Sequence, residues 1–326
     1  MKRILHIAAL PALALVASCI DVIDQQWFNP KPVDEYELLH NEVPIEYIEE
    51  VSLAGTQVEG EDEAPTLAGI WAHQCLDDQL GCLPLSYDEF DSSRQSKTIL
   101  YLHGNSNNIG EYWDRIQILW KMGYRVFAID YRGYGRSTGT PTEAGVYADA
   151  RTALTHVLER FVEDDPSLAG TDGELPNPLF LDLAYYGWSL GSTAAIDLSV
   201  EFPSRALVTE AALASGQGFI DDAASIGIHA SVLMDARFDN VGKIPFVVSP
   251  KLFTHGLADD FVRFEFSQVL YDAADEPKVL FPVPLADHGN VPCPSRPLDE
   301  DIHDGPCIAE AAWLEAVGGF LSEHVP

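Results

Sequence analysis

FLDLAYYGWSLGSTAA, residues 180–195, is the stretch that decides the fold. Its first seven residues form a short apolar run of strand length, and the small residues from Ser192 onwards begin a predicted helix. Between them stands the pentapeptide GWSLG, residues 187–191. A serine between two glycines, at the junction of a strand and a helix, indicates a sharp turn with the Ser189 hydroxyl at its tip.

Strand patterns and helix patterns alternate on both sides of this stretch. This order predicts an α/β fold with a mostly parallel central sheet and helices on both faces. Sheets of this kind place their chemistry at the carboxyl ends of the strands. The predicted strands are 66–74, 97–102, 125–130, 180–186, 206–213, 250–254 and 278–283, and the predicted helices are 112–122, 144–162, 192–202 and 310–323.

A serine hydroxyl needs a neighbouring base to act as a nucleophile, and His288 is the predicted base. It follows the last predicted strand, whereas the alternative, His303, lies in the acidic stretch 299–304. That stretch is also the candidate for metal binding. The acid that orients the base is expected after the preceding strand, where Asp259 and Asp260 are adjacent.

Five features of the chain occur in the order of a known superfamily. Four are HGNS at 103–106, DYRGYGRSTG at 130–139, YGWSLGS at 186–192 and HGLADDFV at 255–262, and His288 is the fifth. Over residues 64–324 the sequence thereby resembles the α/β-hydrolase superfamily. It looks most like the small-cap branch that includes depalmitoylase-like and monoacylglycerol-lipase-like serine hydrolases.

The resemblance implies the α/β-hydrolase fold and a catalytic triad of Ser189, His288 and Asp259. Of the two adjacent acids, the first is preferred because it fits the family spacing HG-x-x-D-x-x-V. The fold also implies an oxyanion hole formed by the backbone N–H groups of Asn105 and Leu190. This chemistry needs no cofactor and no metal ion, and none is expected.

The expected function is the hydrolysis of carboxylic ester or thioester bonds in a small-molecule or lipid-like acyl substrate. A serine peptidase or amidase with the same triad is one alternative. A non-catalytic surface protein that uses the fold for binding is another, although the complete triad in the right order argues against it. Residues 216–249 are apolar enough to form either a small lid over an acyl pocket or a helix packed on the sheet.

The N-terminal residues are predicted to direct export. Lys2 and Arg3 precede a short apolar run at 4–16, and the sequence VASC that ends at Cys19 resembles a bacterial lipobox. We therefore expect a lipoprotein signal peptide at 1–18 and a lipid on Cys19. The alternative is an ordinary signal peptide cleaved nearby. Residues 19–44 are predicted to be a solvated tether and residues 45–326 the hydrolase domain.

Charge and cysteine content limit the partners. The net charge of −32 argues against nucleic-acid binding and against adsorption to anionic lipids, so membrane contact is expected only through the lipid anchor. No close Cys and His pairs have the spacing of zinc ligands. In an exported chain the other cysteines are candidates for disulfides, with the local pairings favoured: Cys75 with Cys82, and Cys293 with Cys307.

Overall fold

In the computed structural model the described residues are 28–74, 97–216, 218, 237–292 and 311–326. The strands are β1 (Asn29–Pro30), β2 (Ile48–Ala54), β3 (Thr66–Ala72), β4 (Thr98–Leu102), β5 (Ser106–Asn107), β6 (Arg125–Ile129), β7 (Leu183–Trp188), β8 (Ala206–Glu210), β9 (Lys251–Gly256) and β10 (Lys278–Val283). The α-helices are α1 (Trp113–Lys121), α2 (Glu143–Asp164), α3 (Leu190–Glu201), α4 (Asn240–Lys243), α5 (Phe264–Ala273) and α6 (Ala311–His324).

Eight of these strands form the central sheet, in the order β10-β9-β8-β7-β4-β6-β3-β2. The six strands from β10 to β6 are parallel. β3 pairs antiparallel with β6, and β2 pairs antiparallel with β3. Strands β4, β6, β7, β8 and β9 are buried along their whole length because helices cover both faces. The predicted mostly parallel sheet is therefore confirmed.

Two hydrophobic cores lie on opposite faces of the sheet. The first packs α2, α3 and α5 against one face, with Trp71, Phe127 and Leu154 among its buried residues. The second packs α1 and α6 against the other face, with Trp113 and Trp313 at its centre. The two layers hold the carboxyl ends of the parallel strands in a fixed arrangement, and the loops that follow them carry the predicted site.

Residues 28–44, named here the N-terminal arm, pack on the domain. The prediction that these residues belong to a solvated tether is therefore wrong. Phe28 and Val43 are buried among the two cores. Strand β1 of the arm pairs in parallel with β5. The arm is acidic and contains prolines, which favoured a spacer, but its apolar side chains find partners far away in sequence. The rest of the predicted tether, residues 19–27, lies outside the described residues.

Several sequence predictions fall outside the described ranges. They concern the signal peptide, Cys19, the four candidate disulfide cysteines and most of the lid segment. The described end of that segment, residues 237–249, is packed: Phe238 is buried, and the Asn240 side chain donates a hydrogen bond to the Leu213 carbonyl oxygen at 2.7 Å. Across the described ranges, no helix combines the length and the apolar character needed to cross a bilayer.

A buried ion pair fixes the loop that follows β6. Arg132, in this loop, is fully buried, and its Nη2 lies 2.6 Å from Asp149 Oδ1 on α2. The Arg132 backbone N–H also donates to Asp149 Oδ2 at 2.7 Å. The same loop supplies Tyr131 and Tyr134, both buried, so that the position of these tyrosines depends on the ion pair.

We predict that Asp149→Ala lowers the free energy of unfolding by roughly 3–5 kcal/mol, because it leaves a buried guanidinium without its main partner. Urea unfolding followed by circular dichroism measures the change. Arg151→Ala is the matched control on the same helix: it removes ion pairs of a side chain that is 38% exposed, and should cost at most about 1 kcal/mol. Equal losses in the two variants would contradict the prediction.

Candidate active site

Ser189 occupies the turn between β7 and α3. Its φ of 52° lies in the left-handed region, which is strained for any residue but glycine. The turn is tight: a Cβ added at Gly191 would lie 1.9 Å from the Leu102 carbonyl oxygen. The Ser189 N–H donates to the Glu210 carbonyl oxygen at 2.8 Å. The close packing and this hydrogen bond therefore hold the Ser189 hydroxyl at the carboxyl edge of the sheet, where the sequence predicted it.

Two loops bring the other predicted residues to this serine. His288 follows β10, and its Nε2 lies 3.1 Å from Ser189 Oγ. Asp259 follows β9, and its Oδ2 lies 2.9 Å from His288 Nδ1. The three side chains come from three separate strands and form one continuous hydrogen-bonded chain. Asp260, the alternative acid, is exposed.

Asp259 is held as a charged carboxylate. Burial alone would raise its pKa, but hydrogen bonds and charge from His255 and His288 outweigh burial and lower the pKa to about 2. Its Oδ1 accepts the backbone N–H groups of Phe261 at 3.0 Å and Val262 at 2.8 Å. Because Oδ1 is occupied in this way, Oδ2 is aimed at the imidazole of His288.

His255 positions this carboxylate, a role that the sequence analysis missed. Its Nε2 lies 2.6 Å from the Val262 carbonyl oxygen and 3.1 Å from Asp259 Oδ2. A carbonyl oxygen only accepts, so Nε2 carries a proton. On the other side of the ring, Nδ1 lies 2.7 Å from Ser267 Oγ. The signal was present as the first residue of HGLADDFV, four positions before the acid.

The HGNS loop, residues 103–106, lies against the turn that carries the serine. Three tyrosine hydroxyls fix its backbone by donating to carbonyl oxygens of the loop. Tyr131 donates to the carbonyl oxygen of His103 at 3.1 Å and Tyr134 to that of Asn105 at 2.9 Å. Tyr112 donates to the carbonyl oxygen of Ser106 at 2.5 Å. An added Cβ at Gly191 would also lie 2.7 Å from the His103 carbonyl oxygen. The loop of Asn105 therefore adjoins the helix start that carries Leu190.

A buried network of charged and polar side chains holds the loop that carries His288. Glu210, at the end of β8, forms an ion pair with Arg115 and accepts a hydrogen bond from the Tyr186 hydroxyl. Burial raises the pKa of Glu210, and the charge of Arg115 opposes this rise. Arg115 Nη2 donates to the Gly289 carbonyl oxygen at 2.6 Å, directly after the histidine. The network therefore ties the loop of His288 to α1 and β8.

Trp188 links this network to the His288 ring. The Arg115 guanidinium lies 4.4 Å from the centroid of the Trp188 ring. That ring stacks on the His288 imidazole, with centroids 5.3 Å apart and planes inclined by 28°. The imidazole is thus supported over its face, while its two nitrogens meet Ser189 and Asp259.

The loops that carry the acid and the histidine also expose apolar side chains. Leu257 is 51% exposed, Phe261 is 58% exposed and Leu285 is 80% exposed. The Phe261 ring lies 4.9 Å from the His288 ring, centroid to centroid. We name these three side chains the apolar rim. They are exposed on the two loops of the site, and Phe261 lies beside the histidine, which suits contact with an apolar substrate group.

The side chains of His255, Asp259 and His288 form hydrogen bonds with one another. Among the residues that the structure describes, no group of three or more His, Cys, Asp or Glu could hold a metal ion. His303 and the acidic stretch 299–304, the alternative base and the metal candidate, lie outside the described ranges.

Acid unfolding tests the charged state of Asp259. Its folded pKa of about 2 lies below the ordinary value of 3.8, so the carboxylate stabilises the folded protein above pH 4 and this stabilisation is lost as the pH falls towards 2. We predict that the free energy of unfolding of Asp259→Asn falls less steeply over this interval than that of the wild type. Urea unfolding at several pH values measures the slopes.

Asp260→Asn is the matched control, since it changes an exposed acid one position away. It should retain the wild-type slope. An Asp259→Asn slope equal to that of the wild type would contradict the assigned charge state.

Sequence comparisons find similar proteins over part of the chain. A family model described as Serine aminopeptidase, S33 matches residues 93–224. The Uncharacterized protein YfhR of Escherichia coli strain K12 is 30% identical over 191 residues, which cover 59% of this chain and 62% of YfhR. Human Alpha/beta hydrolase domain-containing protein 17B is 29% identical over 197 residues, 60% of this chain and 61% of that protein. The matches span about three fifths of these relatives.

Structure comparisons extend the likeness to most of the chain. The Pyrococcus furiosus esterase Pf2001 aligns with a TM-score of 0.55 and 19% identity over 91% of this chain and 100% of the esterase. The esterase domain of a Rhodothermus marinus protein gives a TM-score of 0.51 and 19% identity over 86% of this chain and 100% of that domain. At this identity the likeness concerns the fold. The chain has the α/β-hydrolase fold, as its sequence predicts.

Proposed function

We propose that the protein is a serine hydrolase that cleaves carboxylic ester or thioester bonds through an acyl-enzyme intermediate. One observation carries the proposal. His288 places Nε2 3.1 Å from Ser189 Oγ and Nδ1 2.9 Å from Asp259 Oδ2. This is the arrangement that a nucleophile, its base and an orienting acid require.

In the proposed reaction, Ser189 Oγ attacks the carbonyl carbon while His288 Nε2 takes the hydroxyl proton. The carboxylate of Asp259 stabilises the imidazolium that forms. The N–H groups of Asn105 and Leu190 are assigned to the developing oxyanion. His288 then gives its proton to the departing alcohol or thiol. Water, activated by the same imidazole, attacks the acyl-enzyme and releases the acid.

The second candidate is an aminopeptidase, because the matched family model carries that description. An aminopeptidase must bind the ammonium group of its substrate, and a carboxylate is the usual partner for such a group. In the part of the site that the structure describes, the buried carboxylates of Asp259 and Glu210 are both engaged. The apolar rim favours an acyl substrate instead.

We predict that a fluorophosphonate probe labels the wild type and that Ser189→Ala abolishes labelling, because the probe reacts with an activated serine. In hydrolysis of p-nitrophenyl butyrate, Asp259→Asn should reduce kcat by roughly 10³–10⁴-fold through loss of the correct histidine tautomer. Asp260→Asn is again the matched control and should retain the wild-type rate.

The choice of substrate is tested with p-nitrophenyl esters of increasing chain length against aminoacyl p-nitroanilides. A higher kcat/KM for the esters supports the first candidate, and a higher value for the anilides supports the aminopeptidase. A folded wild type that is neither labelled nor active on either series would refute both.

We further propose that the protein is exported and carries a lipid on Cys19. The support is the sequence alone: a basic start, an apolar run and small residues before the cysteine. A lipid there would hold the enzyme at a bacterial membrane, outside the cytoplasm.

Metabolic labelling with an alkyne fatty acid tests the lipid. In a bacterial host we expect the wild type to be labelled and Cys19→Ser to lose the label. Cys75→Ser is the control and should remain labelled. Equal labelling of the wild type and Cys19→Ser would contradict lipidation at this position.

A further inference from the structure

We propose that the N-terminal arm positions the oxyanion donor of Asn105, through backbone pairing at Asn29 and a hydrogen bond from Tyr36 to the buried carboxylate of Asp130. The inference rests on the proposed function, because it assigns the arm a part in stabilising the transition state. It concerns residues that precede the first strand of the central sheet and that composition alone assigns to a spacer.

The first contact extends the HGNS loop with a short strand. β1 pairs in parallel with β5, with Asn29 opposite Ser106. The Asn29 backbone N–H donates to the Asn105 carbonyl oxygen at 3.3 Å, and its side-chain Nδ2 donates to Ser106 Oγ at 3.2 Å. The Asn105 carbonyl therefore receives hydrogen bonds from the arm and from Tyr134. Together these two donors fix the orientation of the peptide that follows the predicted oxyanion donor.

The second contact reaches a carboxylate that holds both ends of the same loop. Asp130 is fully buried, and its Oδ2 accepts a hydrogen bond from the Tyr36 hydroxyl. Its Oδ1 accepts the Ile109 N–H at 2.9 Å and lies 3.3 Å from His103 Nε2. The carboxylate thus lies next to His103, the first residue of the HGNS loop, and binds the backbone of Ile109, which follows the loop. Without the Tyr36 hydroxyl, Oδ2 of this carboxylate would lose a donor, and the carboxylate would hold this segment less firmly.

Further contacts between these two points keep the arm on the same surface. The Asn108 side chain donates to the Lys31 carbonyl oxygen at 3.3 Å, and the Leu39 N–H donates to the Gly110 carbonyl oxygen at 3.3 Å. The fit is close: a Cβ added at Gly110 would lie 2.5 Å from the Glu37 carbonyl oxygen. The arm therefore follows the outer side of the segment that carries the predicted donor.

The expected consequence is selective for the transition state. The negative charge on the carbonyl oxygen develops as Ser189 attacks, so a donor displaced by about 1 Å destabilises the transition state more than the bound substrate. Loosening the loop should lower kcat and leave KM nearly unchanged. A purely structural arm would change stability without this separation.

The test uses the full chain with Asn29→Pro, which removes the backbone N–H that donates to Asn105, with Tyr36→Phe and with the double variant, on p-nitrophenyl butyrate. Asn29 is exposed and Tyr36 half-buried, so both substitutions are compatible with folding. We expect kcat of the double variant to fall on the order of tenfold, less than the loss of a whole oxyanion donor, with KM within twofold. Affinity for a phenylboronic acid, whose tetrahedral adduct places an oxygen in the oxyanion hole, should fall in parallel with kcat/KM.

Glu35→Gln is the matched control, an exposed position in the same arm, and should retain wild-type kcat. Thermal melts measured on every variant separate positioning from stability. An unchanged kcat in the double variant, or a loss of kcat explained by the unfolded fraction at the assay temperature, would overturn the inference. These outcomes presuppose an active wild type. An inactive wild type refutes the proposed function instead.

Discussion

The tight turn at Ser189 is the constraint on which the site depends. A non-glycine residue in the left-handed region is costly and persists only where its surroundings hold it. Here the restraints are the close passage of Gly191 over β4 and the hydrogen bond from the Ser189 N–H to the Glu210 carbonyl oxygen. Both require strands β4, β7 and β8 to keep their register. The two cores that cover the sheet therefore also maintain the position of Ser189.

Near this turn, the ionised carboxylate of Asp259 contacts the imidazole of His288 directly. Asp259 is kept anionic because hydrogen bonds lower its pKa by more than burial raises it. Glu210, equally buried, is paired with Arg115 and Tyr186 and supports the loop of His288 through Gly289. Two buried carboxylates thus serve one imidazole in different ways. Asp259 accepts a hydrogen bond from Nδ1 of the imidazole, and Glu210 holds the loop of His288 through Arg115.

The sequence predicted most of the sheet because its central strands are buried on both faces and read as continuous apolar runs. β2 was missed since its pattern includes Glu49 and Glu50 and it is only partly buried. The residues of the predicted triad were identifiable because each lies in a local motif, and the structure brings them within hydrogen-bond distance of one another. Arg115 and Glu210 have no such local signal: they stand 95 positions apart and meet only in the folded chain. The arm was misassigned for the same reason, as Asn29 and Ser106 are 77 positions apart.

The two outer strands have a consequence for association between copies of the chain. At one edge, β2 carries Glu49 and Glu50, which form ion pairs with Arg160 and Arg136. At the other edge, β10 contains Pro282, which has no N–H to donate. Charged side chains and proline on edge strands oppose the addition of a further strand. Both edges are therefore protected against growth of the sheet into a neighbouring molecule, a protection that matters for a strongly apolar parallel sheet while it folds.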